Sequence, residues 1–204
     1  MKVKESLVKS VGAGALIGIG ATIFMAAPDK TVGAFLFAIG LIAICIFKLN
    51  LYTGKIGYVF ENKNYLEILL IWAGNLIGCF LTSFAVRLAR PDLAEIANGM
   101  LLKKAGMSWW ALLICAFFCG VIMFLAVDVY KRGNDFGRYL GIIFGIPVFI
   151  LSGFEHSIAD MCYFIYGIKT VEEFWFALGI LVIVSIGNAI GGISAWLVLK
   201  DKKN

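Results

Sequence analysis

Leu151-Ser-Gly-Phe-Glu-His-Ser-Ile-Ala-Asp-Met161 is a short polar island that carries the only histidine of the chain. Before it, Leu140 to Ile150 is apolar apart from glycines and Pro147; after it, Cys162 to Ile168 is apolar again. Glu155, His156 and Asp160 therefore fall near the middle of an apolar segment. Ionisable groups at that depth in lipid are costly, face a cavity or a bundle interior, and mark an ion or substrate pathway by default.

The composition around the island is that of a membrane protein. The 204 residues are 61% hydrophobic and 15% charged, with 23 Gly and 17 Phe, whereas soluble domains are roughly half apolar. The most polar stretch, Arg87 to Met107, is itself interrupted by Leu93, Ala94, Ile96 and Leu101, so residues 1–204 read as a single membrane domain. Met1 to Val11 has a lysine-bearing start with no small-residue cleavage site, which makes it the beginning of a retained first span. The net charge of +5 lies in short clusters between apolar runs, a topology signal and not a basic face for nucleic acid. Cys45, Cys79, Cys115, Cys119 and Cys162 all fall in apolar segments beside one histidine. Neither a disulfide framework nor a zinc site is expected, and no cofactor.

Six stretches approach the ~20 apolar residues that cross a bilayer. They are Leu7–Ala27, Thr31–Asn50 with a broken continuation to Phe60, Tyr65–Leu88, Trp109–Tyr130, Phe136–Ile150 with a broken continuation to Tyr166, and Val171–Leu199. Pro91 to Lys104 suits a short amphipathic surface helix. With the N-terminus in the cytoplasm, eleven basic residues fall inside (Lys2, Lys4, Lys9, Lys55, Lys63, Lys131, Arg132, Arg138, Lys200, Lys202 and Lys203). Six fall outside (Lys30, Arg87, Arg90, Lys103, Lys104 and Lys169). The bias supports cytoplasmic termini at both ends.

The second and fifth spans are both interrupted, at Lys48-Leu-Asn-Leu-Tyr-Thr-Gly54 and at Ser152-Gly-Phe-Glu-His156. The third and sixth share Gly74-Asn-Leu-Ile-Gly78 and Gly187-Asn-Ala-Ile-Gly191. Three spans followed by three place the halves in opposite orientation, the inverted-repeat plan in which broken helices meet near the midplane. That meeting brings Thr53 close to His156. The glycine run of span one, Gly12 to Gly20, suits close helix packing.

These residues resemble the formate/nitrite transporters, pentameric channels with an aquaporin-like inverted-repeat fold. The resemblance rests chiefly on Ser152 to Met161, similar to the family's fifth-span signature around a single pore histidine, and on Leu51-Tyr52-Thr53, similar to its Leu-Phe-Thr loop. It implies an all-α membrane protein with six transmembrane helices, a homopentamer in the family's manner, in the cytoplasmic (inner) membrane. His156 would be the pore histidine and Thr53 its hydrogen-bonding partner. Phe37 and Phe149 would form an outer hydrophobic constriction, Leu41 and Tyr52 an inner one, and Lys104 would be the vestibule lysine at the start of span four. The chain departs from the pattern at Asp160 and Gly120, where the family has Asn, and at Tyr52, where it has Phe.

The chemistry expected is passage of a small monovalent weak-acid anion of the formate, nitrite or hydrosulfide type. A bare anion crosses hydrocarbon at a cost of several kcal/mol, while its neutral acid crosses far more cheaply. Imidazole, with an unperturbed pKa of about 6.5, suits proton exchange near neutral pH. Glu155 is expected to contact His156 or freed backbone amides; Asp160 reads either as a second titratable pore group or as a cap of the loop, and the cap is favoured because Asp makes such local backbone bonds. An ammonium or water pore lacks its second histidine and its Asn-Pro-Ala repeats. A haem enzyme would want more axial ligands, and a scaffold without transport leaves the paired interruptions unexplained. The reading is a transporter and not an enzyme.

Overall fold

The computed structural model describes residues 3–200; Lys2, Lys202 and Lys203, counted above on the inner side, lie outside them. Among the described residues every element is helical. Four helices are long and apolar enough to cross a membrane: α1 (Val3–Ala26), α5 (Tyr65–Ala89), α7 (Trp109–Arg132) and α10 (Val171–Leu199). Two shorter apolar helices, α2 (Lys30–Ile46) and α8 (Gly137–Leu151), have 17 and 15 residues, too few to cross alone. Each resumes after a break. Past α2 come α3 (Tyr52–Lys55), a 3-10 turn at Ile56–Tyr58 and α4 (Val59–Asn62); past α8 comes α9 (Ser157–Gly167). The expected surface helix is present as a 3-10 turn at Pro91–Leu93 and α6 (Ala94–Ala105). It buries Ala97, Asn98 and Leu101 on one face.

The two breaks have the same construction. At the first, Leu49 N–H donates to Ile44 C=O at 2.9 Å and Lys48 N–H to Cys45 C=O at 3.3 Å. At the second, Phe154 N–H donates to Phe149 C=O at 2.9 Å and Gly153 N–H to Ile150 C=O at 3.1 Å. Both are Schellman closures, which satisfy the last carbonyls of a helix by placing one residue in the left-handed region. Gly153 fills that position at φ +69 without strain; Lys48 does so at φ +52 with a side chain.

The long helices pack pairwise, α1 along α5 and α7 along α10, and the Gly-Asn-x-Ile-Gly repeats lie at those seams. A Cβ on Gly78 would stand 2.0 Å from the Val11 carbonyl oxygen, and one on Gly191 2.0 Å from that of Phe117. Only a residue without a side chain lets the backbones approach so closely. The repeated asparagines do a second job. Asn75 Oδ1 accepts from Tyr52 N–H at 2.9 Å, while its Nδ2 donates to Ser10 C=O at 2.8 Å and Asn50 C=O at 2.9 Å. Asn188 Oδ1 accepts from Ser157 N–H at 2.9 Å, while its Nδ2 donates to Ala116 C=O and Glu155 C=O, both at 2.8 Å. Each asparagine thus fastens the start of one resumed helix, α3 or α9, to the long helices behind it.

The perimeter is apolar: Phe80, Phe84, Trp109, Trp110, Phe174 and Trp175 are all exposed, as a chain solvated by lipid or by copies of itself requires. Replacing Gly78 or Gly191 with Ala is expected to destabilise the fold by ~1–3 kcal/mol through overpacking. Gly99 on α6, whose added Cβ would meet nothing within 4 Å, is expected to gain about 0.5–1 kcal/mol on the same substitution. Thermal unfolding in detergent compares the two.

Candidate functional site

His156 is the residue at which the second break becomes α9. Its backbone is extended (φ -111, ψ 110), and its ring Nδ1 accepts from Ala159 N–H at 3.1 Å, so the imidazole is the N-cap of α9. A nitrogen that accepts from an amide carries no proton, and the neutral ring therefore holds its proton on Nε2. That nitrogen lies 2.8 Å from Thr53 Oγ1 in the first turn of α3. Nε2–H donates, Thr53 Oγ1 accepts, and the threonine O–H remains as a donor with no partner among the described residues. His156 and Thr53 are 2% and 1% exposed. Both ring nitrogens are engaged, which leaves none to serve as an axial haem ligand.

Two phenyl rings stand beside the pair. The Phe149 ring on α8 lies 5.5 Å from the imidazole, and the Phe37 ring on α2 meets Phe149 edge to face at 6.3 Å. A cavity of ≈ 440 Å³ opens on this side, with Phe149, His156, Glu155, Asp160 and Lys104 on its wall. A second cavity of ≈ 430 Å³ opens at the C-terminal ends of α2 and α7, walled by Leu41 and Leu51 toward the interior and by Lys48, Lys55, Lys131 and Arg138 toward the mouth. The C-terminal end of α2 borders one cavity and that of α8 the other, so the two broken helices run antiparallel.

Tyr52, expected with Leu41 at the inner constriction, is buried; its hydroxyl donates to Ser185 C=O on α10 at 3.0 Å, and Leu41 and Leu51 line the second cavity. Other expectations are corrected here. Asp160 does not cap the loop, because His156 already does. Its Oδ1 is 3.0 Å from Lys104 Nζ, and its Oδ2 is buried without a hydrogen-bond partner. Glu155 points away from His156 and pairs with the same ammonium. Lys104 sits in the last turn of α6, ahead of span four, and its side chain turns inward to 12% exposure. Burial alone disfavours the Lys104 ammonium, but the Asp160 and Glu155 charges outweigh that and push its pKa up from the ordinary lysine value. Gly120 has no room for the family's Asn, since a Cβ there would stand 2.3 Å from the Asn188 carbonyl oxygen.

Asn75 and Asn188 were missed as site-building residues. Their signal was present in the Gly-Asn-x-Ile-Gly repeat, which showed symmetry and packing but not what the amide would hold. Among the described residues no set of His, Cys, Asp or Glu side chains is arranged to hold a metal ion.

Two antiparallel broken helices that meet at a buried polar pair, between cavities at opposite ends of an apolar bundle, define a membrane channel or transporter. A family profile described as formate/nitrite transporter matches residues 1–200, and the chain belongs to that family. The chain is similar to the formate channel FocA of Escherichia coli (strain K12), at 30% identity over 204 residues covering 80% of this chain and 70% of that protein. It superposes on a solved FNT family ion channel with a TM-score of 0.84 at 23% identity, covering 97% of this chain and 91% of that one. A pentameric formate channel with formate bound superposes with a TM-score of 0.80 at 22% identity, covering 98% of each. These relatives are channels and transporters, not enzymes.

Lys104→Met leaves the buried Glu155 and Asp160 without their ammonium and is expected to cost ~3–5 kcal/mol of stability, the range for breaking a buried ion pair. The triple variant Lys104→Met, Glu155→Gln, Asp160→Asn is expected to recover most of it. Unfolding temperatures of the two variants in detergent check both outcomes.

Proposed function

We propose that the protein passes a small monovalent weak-acid anion, of the formate, nitrite or hydrosulfide type, through a central site made of His156 and Thr53. The observation that carries this reading is the 2.8 Å contact between Thr53 Oγ1 and His156 Nε2, made where two broken helices meet. With Nδ1 held by α9, the pair presents one unused donor, the Thr53 hydroxyl, to an acceptor in the passage. The N-terminal end of α9 adds a favourable dipole for negative charge. Phe37 and Phe149 on one side, and Leu41 with Leu51 on the other, exclude hydrated ions, so the anion crosses as its neutral acid.

In this reading α2 continues through α3 and α4, and α8 through α9, as single interrupted spans, which gives six crossings of the cytoplasmic (inner) membrane with both termini inside. The cations around the second cavity, Lys48, Lys55, Lys131 and Arg138, support placing that mouth in the cytoplasm. The apolar perimeter and the pentameric neighbour support a homopentamer in the bilayer, with protons as co-substrate.

Asn can still cap a helix through its side-chain oxygen, so His156→Asn keeps the start of α9 while removing the imidazole. In proteoliposomes loaded with a pH dye, His156→Asn is expected to abolish formate and nitrite uptake. Thr53→Val removes the hydroxyl at nearly constant volume and is expected to slow uptake about 10-fold or more, the equivalent of one lost hydrogen bond of ~1.5 kcal/mol, whereas Thr53→Ser retains it. Wild-type rates in both His156→Asn and Thr53→Val would remove the pair from the pathway.

A further inference from the structure

Asp160 is one of the positions at which this chain departs from the pattern it resembles, and the structure gives that departure an unusual setting. Two carboxylates share one ammonium: Glu155 and Asp160 both pair with Lys104. The side chains of Lys104, Glu155 and Asp160 are 12%, 6% and 2% exposed. With all three ionised the cluster carries one surplus negative charge, and a buried carboxylate without a partner of its own is strongly disfavoured. Carboxylates that share a site do not both stay ionised, and one bound proton removes the surplus. The geometry also says where that proton sits. Asp160 Oδ1 is taken by Lys104, while Oδ2 is buried with no hydrogen-bond partner among the described residues.

The remaining charged and titratable groups do not offer a better home. Cys119 of α7 and Tyr163 of α9 face the carboxylates, and both are neutral side chains in their ordinary form. His156 is committed at Nδ1 to Ala159 and at Nε2 to Thr53. Lys103 and Lys30 stand on the cavity wall, and Lys30 is spent on the carbonyls that end α1, those of Phe24, Met25 and Ala27. Asp160 and His156 share the wall of the one cavity.

We propose that Lys104, Glu155 and Asp160 form a one-proton store in the outer vestibule, with the proton on Oδ2 of Asp160, and that the store hands it to the arriving anion ahead of the His156–Thr53 pair. The step balances within the cavity. The Asp160 O–H bond breaks and leaves its electron pair on Oδ2, an O–H bond forms on the oxygen of a formate-type anion, and the neutral acid moves on past the phenyl rings. The surplus charge now rests on the cluster beside Lys104 until a proton from outer water refills Oδ2. The inference rests on the transport reading above and names its proton donor. An asparagine at this position, as in the family pattern, leaves Lys104 and Glu155 as a balanced pair with nothing to store.

The test uses purified full-length protein in proteoliposomes, with formate as the probe, comparing wild type with Asp160→Asn across external pH. At neutral pH the variant is expected to be slower on the order of 100-fold, the low end for loss of a positioned acid. The gap is expected to close as the medium is acidified and bulk water supplies the neutral acid. A ratio that stays constant with pH, or rates that do not differ, would overturn the proposal. Infrared spectra of the same protein at neutral pH give a second readout independent of flux: a protonated-carboxyl stretch that shifts in D2O is expected in the wild type and absent from Asp160→Asn. Its absence from the wild type would refute the store whether or not the variant folds. A wild type that shows the band but carries no formate at any pH would refute the transport reading and the hand-over with it, while upholding the store itself.

Discussion

Two asparagine side chains carry the constraint on which the rest of the structure depends. A helix that begins inside an apolar bundle exposes its first amides where no water can satisfy them, and each one left unpaired costs about 1–3 kcal/mol. Asn75 meets that need at Tyr52 and Asn188 at Ser157. Each also holds the carbonyl two residues upstream and one on the neighbouring long helix, at Asn50 and Ser10 in one half and at Glu155 and Ala116 in the other. The breaks are therefore fixed in three directions. Once α3 and α9 are fixed to α1 with α5 and to α7 with α10, the positions of Thr53 and His156 follow, because each is within two residues of an asparagine-held atom.

The two mouths differ in charge. The cavity at the C-terminal end of α7 is walled by Lys48, Lys55, Lys131 and Arg138, and no carboxylate lines it. The cavity beside His156 has Lys104 compensated by Glu155 and Asp160 within its own wall. An anion meets four cations on one side, where Arg138 lies 3.8 Å from the exposed Asp135 carboxylate, and on the other three lysines, Lys30, Lys103 and Lys104, beside two carboxylates. Field focusing by a basic cleft raises the local concentration of anions, so the two sides differ in how they gather substrate even though both lead to one passage.

Much of this was legible in the sequence because membrane folding simplifies the code. Long apolar runs marked α1, α5, α7 and α10, with glycine stripes in α1, α5 and α10, and the polar interruptions at 48–54 and 152–156 marked the breaks. The repeated Gly-Asn-x-Ile-Gly placed the halves in register, from which the approach of Thr53 to His156 follows. Side-chain direction was not legible. The Tyr52 hydroxyl reaches Ser185 because the first turn of α3 turns it toward α10, a matter of three-dimensional phase that a loop sequence does not encode. Asp160 reads as a cap by residue type, yet the capping position belongs to His156, four residues earlier and outside the helix. Lys104 is expected as a vestibule lysine, and only the folded chain shows two carboxylates within its reach. At the first break, Lys48 occupies a left-handed position that glycine would have announced, whereas Gly153 announces the second.

The imidazole of His156 is also the plug in the end of α9. Turning it about its side-chain bonds would release the Ala159 amide and start to unravel the helix beneath it, so the ring behaves as a rivet and not as a paddle. The softer parts around it are the phenyl rings of Phe37 and Phe149, which pack by ring contact alone and which no hydrogen bond restrains.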